Sequence, residues 1–548
     1  MNDIQLLMVH ADDRRPFVED GLRAGESSEA VTQPGHLYVD GEDQNPLDRQ
    51  GWGIIAPVGP EGDRLLALVD GLIRHRAAQT ELLKIYRVPP VMSDRDLRAF
   101  RDDTYLAKGS DEAPLYLLIL GDLHQVPIEL QATLANHALL GRIAFSSDEG
   151  YAAYAQKVVA AEQSKPAAAP RALYLNVRDG TAATTIGYRA LMTPTLQHAR
   201  AIHERGKLPA SAIVEIESPD DIGAALFAEA GKPDPAVLFS ISHGLGRPRR
   251  GWKSLEEQRA MQGAMSFGMG RSLTASDVAT STFLPNGVWF FLACYGAATP
   301  SKSAYYAWLK QLKEAGGFDA NVDSVLAGLP KDGEPPFIAA LPKAALANPK
   351  GPLAIMGHAD LAWTYSFQDV GKDAKSRATR FQNISTRLVD GNRVGIAAAT
   401  LLKTFFDASV DVSSAADADA AGSASTDAEA RADRANLWML RNDVAGYMLL
   451  SDPAAQLPIA ARKGQRAPEA SVQAFLGSLG GAAASTPVAP GGATKKLDVE
   501  TMEAAVLAVL SEDLTAKKAA EKYGVERSDV QAWADAYQAA GRAALGKL

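Results

Sequence analysis

Gly287-Val-Trp-Phe-Phe-Leu-Ala-Cys294-Tyr-Gly296 reads as a buried β-strand that runs into a turn, with the only cysteine of 548 residues at its tip. An unbroken apolar run that ends in a glycine-containing turn fits a strand covered on both faces. A lone thiol has no internal disulfide partner, so it serves packing or chemistry. Upstream, Pro235-Ala-Val-Leu-Phe-Ser-Ile-Ser-His243-Gly244-Leu-Gly246 repeats the design, with an imidazole in place of the thiol. In an open parallel α/β sheet the C-terminal strand tips form the crevice where ligands bind, so neighbouring strands would bring the two side chains together. The separation, 294 − 243 = 51 residues, leaves room for one crossover.

A cysteine that closes a buried strand is, taken alone, a small core filler. A second strand tip carrying His-Gly turns the reading towards a nucleophile and its base. Ser-His243-Gly244 and Ala-Cys294-Tyr-Gly296 resemble the catalytic blocks of the caspase-like cysteine peptidases, the group of caspases, gingipains, clostripain, separase and the bacterial CHAT proteins. Within that group the chain is most similar to the gingipain and CHAT branches. Leu118-Ile-Leu-Gly121-Asp-Leu-His-Gln-Val-Pro127 with Leu140-Gly-Arg142 resembles a stretch of the gingipain N-terminal subdomain. Pro352-Leu-Ala-Ile-Met-Gly357-His-Ala-Asp360 resembles the strand after the catalytic cysteine, and Tyr447-Met-Leu-Leu-Ser-Asp452-Pro453 the closing strand. The chain has Leu292 where caspases have glutamine and Ser451 where the closing motif has glycine, which argues against a true caspase.

The resemblance implies a caspase-like doubly wound α/β sheet, with a non-catalytic first subdomain before the catalytic one. It implies a cysteine endopeptidase in which Cys294 is the nucleophile and His243 activates it or protonates the leaving amine. The backbone N–H groups of Gly244 and Cys294 are the candidates for the oxyanion hole, since glycine permits close approach. Asp360 is the candidate counter-charge for a basic residue before the scissile bond, with Trp363 as a wall of that pocket. No third catalytic residue stands out. Trp289 reads as core, and Asp122 after Gly121 as a turn residue. No zinc-type ligand spacing and no phosphate loop occurs, so neither metal nor cofactor is expected.

Composition frames this reading. Hydrophobic residues make up 47% and charged residues 22% of the chain, enough to bury a sizeable core. The net charge of −9 gives no general drive towards nucleic acid or anionic lipid. The N-terminus has no basic head and apolar stretch of a signal peptide, and no apolar run is long enough to span a membrane. A cytoplasmic protein, in a bacterial regulatory or defence setting, is the expectation.

The expected domains are a non-catalytic α/β subdomain over 1–163, with an irregular lead-in to about residue 50, and a catalytic domain over 171–460. Within the latter, 413–433 lacks large apolar residues and is expected to be a mobile insertion. A Gly/Ala/Ser/Pro-rich linker over 461–494 precedes a trihelical, helix-turn-helix-like module at 495–548. Acidic residues match or outnumber basic ones there, which favours protein docking or self-association over DNA contact. The alternatives to a peptidase are a catalytically idle caspase-like scaffold and a DNA-associated regulator.

Overall fold

A computed structural model describes residues 6–9, 16–19 and 43–460, apart from 108, 110–111, 219, 249, 315–321, 331–332, 370–374 and 424–426. The described residues belong to one compact unit, Met1–Pro468. The second unit, Glu469–Leu548, lies outside them, as do the expected linker and trihelical module.

The expected irregular lead-in holds a hairpin of β1 (Leu6–Val9) and β2 (Pro16–Glu19). Leu-Leu-Met-Val and Phe-Val are β-prone enough to pair despite the polar residues around them. The main sheet begins with β3 (Trp52–Pro57), β4 (Leu83–Val88), β5 (Tyr116–Leu120) and β6 (Leu139–Ile143). Its second part starts with β7 (Arg171–Asn176), β8 (Ala212–Ile216) and β9 (Ala236–Ile241). Next come three small strands, β10 (His243–Gly244), β11 (Met265–Gly268) and β12 (Arg271–Leu273), which form their own sheet. Then follow β13 (Val288–Leu292), the paired β14 (Ala298–Thr299) and β15 (Phe337–Ile338), β16 (Ala354–His358) and β17 (Tyr447–Leu450).

The strand order of the ten-stranded sheet is β4-β3-β5-β6-β17-β16-β13-β9-β7-β8. Neighbours pair in parallel within β4-β3-β5-β6 and within β16-β13-β9-β7-β8, and β17 runs antiparallel to β16. The α/β expectation is met. The seam between the two parts is narrow, with a single residue pair, Leu450 with Arg142, joining β17 to β6.

Continuous apolar sequence follows from this position. Every residue of β9 and β13 is buried, because helices cover the inner strands of a parallel sheet on both faces. Successive side chains point to opposite faces. Phe239 stacks on Phe290 with centroids 4.7 Å apart, while Trp289 stacks on Phe291 at 4.6 Å. Trp289 Nε1 donates to Ser240 Oγ at 2.8 Å, which places this tryptophan in the core as its sequence suggests.

Residues 413–433, expected to be a mobile insertion, are helical at both ends among those described: 413–420 finish the helix Val394–Ala420, and 428–433 open the helix Ala428–Ala445. Alanine is the strongest helix former, so an Ala-rich stretch without large apolar residues can still be helical beside a packed partner. Asp427 caps the second helix, accepting from the Ala430 N–H at 2.7 Å.

Candidate active site

β9 and β13 are adjacent and parallel, with Ile241 opposite Leu292. His243 and Cys294 therefore stand the same two residues beyond a matched pair. Past the strand ends the two chains stay together, since the Ser242 N–H donates to the Leu292 carbonyl at 3.1 Å. A Cβ built on Gly244 would lie 1.8 Å from the Cys294 carbonyl oxygen, so only glycine fits beside the cysteine backbone. The structure thus brings His243, Gly244 and Cys294 together at two neighbouring strand tips.

The imidazole lies in polar surroundings. His243 Nε2 is 2.8 Å from Thr181 Oγ1 and 3.7 Å from the Asp179 carboxylate. Asp179 accepts from the Thr181 N–H, the Thr181 hydroxyl and the Thr184 hydroxyl. Burial pushes its carboxyl pKa up, but those hydrogen bonds and His243 outweigh burial, so the net shift is downward and Asp179 stays ionised. Sequence reasoning missed this acid. The signal was there, since Asn176-Val-Arg-Asp179-Gly180 is a third strand tip followed by glycine, next to β9 in the sheet.

The thiol faces elsewhere. Cys294 Sγ donates to the Ala362 carbonyl at 3.6 Å and accepts from the Ala362 N–H at 3.4 Å. Among the described residues no hydrogen bond joins it to His243. Burial pushes its pKa up to about 11, and the Asp360 and Asp443 carboxylates add to that shift. At neutral pH such a thiol is protonated.

Asp360 lies in the interior beneath this thiol. Its carboxylate accepts from the backbone N–H groups of Ala304 at 3.0 Å and Leu361 at 2.8 Å, and burial pushes its pKa up to about 6. It faces amides, and among the described residues it makes no ion pair with a cation. Trp363 packs against Tyr305 and Tyr365 in a satellite cluster, and its backbone N–H donates to Asp443. Asp443 is fully buried, accepts from Trp363 and Ser366 N–H groups, and has its pKa pushed up to about 7 by burial. His358 sits between the two residues, with Nε2 2.9 Å from the Asp443 backbone carbonyl and Nδ1 accepting from the Asp360 N–H at 3.2 Å. Burial pushes its pKa down to about 4, so it is neutral.

Among the described residues no group of His, Cys, Asp and Glu could hold a metal ion, and no helix is long and apolar enough to cross a membrane. No protein-family model matches the sequence, and no curated protein matches it. Three solved structures are similar in chain path. One is described as the structure of a protease, 12% identical over 74% of this chain and 78% of that one, with a TM-score of 0.43. Another is the Arg-specific cysteine proteinase gingipain R, 11% identical over 75% and 78%, with a TM-score of 0.44. The third is the complex of the Porphyromonas gingivalis RgpB pro- and mature domains, 13% identical over 74% and 79%, with a TM-score of 0.42.

Proposed function

We propose that this chain is a caspase-like cysteine endopeptidase in which Cys294 attacks a peptide carbonyl and His243 transfers the proton. The observation that carries the reading is the register of β9 and β13, which sets His243-Gly244 against Cys294 at two adjacent tips, with Asp179 behind the imidazole. The thiol proton passes to His243 as sulfur bonds to the carbonyl carbon. The same proton then goes to the leaving amine as the C–N bond breaks, and water releases the acyl group in the reverse sense. Asp179, at 3.7 Å and through the Thr181 hydroxyl, orients the ring. The Gly244 and Cys294 N–H groups are the oxyanion donors in this scheme. No cofactor takes part.

The thiol must first leave Ala362, so substrate or a partner has to displace the segment around 360–366. A preference for a basic residue before the scissile bond belongs to the same reading, and Asp360 can supply the counter-charge only once that segment opens. A cytoplasmic setting in a bacterial regulatory or defence system, with partner docking or self-association through 495–548, completes the proposal. A second reading, an idle scaffold that binds without cleaving, is favoured by one observation: the thiol pairs with the Ala362 backbone and its pKa is raised.

The test is a panel of fluorogenic peptides with Arg, Lys, Asp or Leu before the scissile bond, run on the full chain and on Cys294→Ala. Cleavage that depends on Cys294 is expected, with Arg preferred. Intact peptides in every case, alongside a folded protein, would leave the scaffold reading standing.

A further inference from the structure

Resting on the peptidase reading and going beyond it, we propose that Asp122 is a positioning residue that clasps the Cys294 turn from across the seam of the sheet. Asp122 follows Gly121 at the tip of β5, in the part of the sheet that holds neither His243 nor Cys294. A turn aspartate bonds its own loop, and one bond does so, with Oδ1 accepting from the Leu123 N–H at 2.7 Å. The other two reach more than two hundred residues along the chain. Oδ1 accepts from the Ile338 N–H at 2.7 Å, and Oδ2 from Lys343 Nζ at 2.8 Å.

Ile338 leads straight to the nucleophile. It pairs with Ala298 across β14 and β15, and the Ala339 N–H donates to the Ala297 carbonyl at 2.9 Å. Ala297 closes the turn that begins at Cys294, and its own N–H donates to the His358 carbonyl at 2.9 Å. That turn is held in an uncommon shape, with Tyr295 at a φ of 56° although it is not glycine. A residue in that region persists only when its surroundings fix it from several sides. The carboxylate of Asp122 reaches it through Ile338, whose strand is bonded to Ala297 and Ala298 at the end of the turn.

The clasp is itself held rigidly. The buried Arg142 guanidinium donates to the carbonyls of Gly121 at 2.9 Å and Val126 at 3.0 Å, and the Asp122 N–H donates to Gln125 Oε1 at 2.8 Å. Arg142 is also the residue that forms the only strand pair across the seam. Where backbone pairing is so thin, a charge-assisted hydrogen bond from one part to the other transmits position. The first α/β part thus contributes to the site through Asp122 while supplying no reacting group.

The test compares full-length wild type with Asp122→Ala, Asp122→Asn and Lys343→Met. Asp122→Ala should lower kcat about tenfold or more with KM within about twofold, since it disturbs the nucleophile rather than the binding surface. Asp122→Asn retains an oxygen for the Ile338 N–H and should recover part of that loss, and Lys343→Met should cost less than Asp122→Ala. Hydrogen exchange should quicken at 295–299 and 337–339 in Asp122→Ala, with protection in β7 and β9 unchanged. Wild-type kcat in Asp122→Ala, or exchange that quickens uniformly across the chain, would overturn the clasp. Should Asp122→Ala fail to fold, Lys343→Met and Asp122→Asn decide by the same local exchange. If wild type cleaves nothing, the peptidase reading falls while exchange and the rate of Cys294 alkylation still judge the clasp.

Discussion

The two strand tips of the candidate site sit side by side and could hardly differ more in environment. On the β9 side, His243 is 38% exposed at its side chain and faces the Thr181 hydroxyl and an ionised Asp179 that Thr184 also bonds. On the β13 side, Cys294 is half-buried, hydrogen-bonded to backbone, and sits over two carboxyls whose pKa values are pushed up. One tip surrounds its imidazole with hydrogen-bonding groups and the other keeps its thiol protonated. The difference teaches that bringing two catalytic residue types together is a matter of strand register, whereas arming them depends on the loops behind each tip.

The comparison breaks outright if neither tip matters. Cys294→Ala and His243→Ala should each reduce peptide hydrolysis by roughly 10³-fold or more while the thermal midpoint stays close to wild type. Undiminished hydrolysis in Cys294→Ala removes the assignment. Gly244→Ala tests the contact between the tips. Its Cβ would overlap the Cys294 carbonyl, so the chains must part, and a loss of about 10²-fold in kcat/KM is expected. Wild-type kinetics in Gly244→Ala would show that the tips tolerate separation.

Asp179→Asn sharpens the β9 side. It keeps the shape and removes the charge behind His243, and should lower kcat about 10- to 100-fold with little change in KM. An unchanged kcat would reduce Asp179 to a turn residue held by Thr181 and Thr184.

Asp443→Asn sharpens the β13 side. Removing a carboxylate near the thiol should speed iodoacetamide labelling of Cys294 at pH 8 by about threefold or more. The same change has a stability signature whose sign is fixed. The folded-state pKa of about 7 lies above that of an unfolded aspartate, so the folded state binds the extra proton between about pH 4 and 7. Asp443 therefore makes wild type less stable as pH rises through that window. His358, held near 4, acts in the opposite sense between about pH 4 and 6.5, so the Asp443 effect is read from wild type minus variant. The thermal midpoint of wild type should fall relative to Asp443→Asn by roughly a few degrees from pH 5 to pH 8. Parallel pH curves would show that Asp443 does not titrate there.

What could be read from the sequence was local. β9 and β13 announce themselves as apolar runs, and their tips carry His243-Gly244 and Cys294 with glycine close behind. Asp179 obeys the same rule at the tip of β7 and was within reach of it. The partners of the thiol were not. Ala362 contributes only its backbone, and Asp443 lies in an ordinary-looking helix whose sequence gives no hint of a fully buried acid. Asp360 shows the limit in another way: its position after β16 was legible, but its amide partner Ala304 depends on how a separate loop folds back. The helix through 413–420 was misread because absence of large apolar residues was weighed above alanine's helix propensity.

The narrow seam has a mechanical meaning. Ten strands give the molecule a broad sheet, yet load passing from β6 to β17 crosses one residue pair. Side chains carry the rest, notably Asp452 with Arg76 and Trp52, and Asp122 with Lys343. One continuous core, from Trp52 and Leu118 to Phe239 and Ile355, also spans that line, so a pull on the two flanks is borne there by side-chain packing more than by the backbone ladder. The Cys294 turn, tied to both sides of that line, is where such a load would be felt.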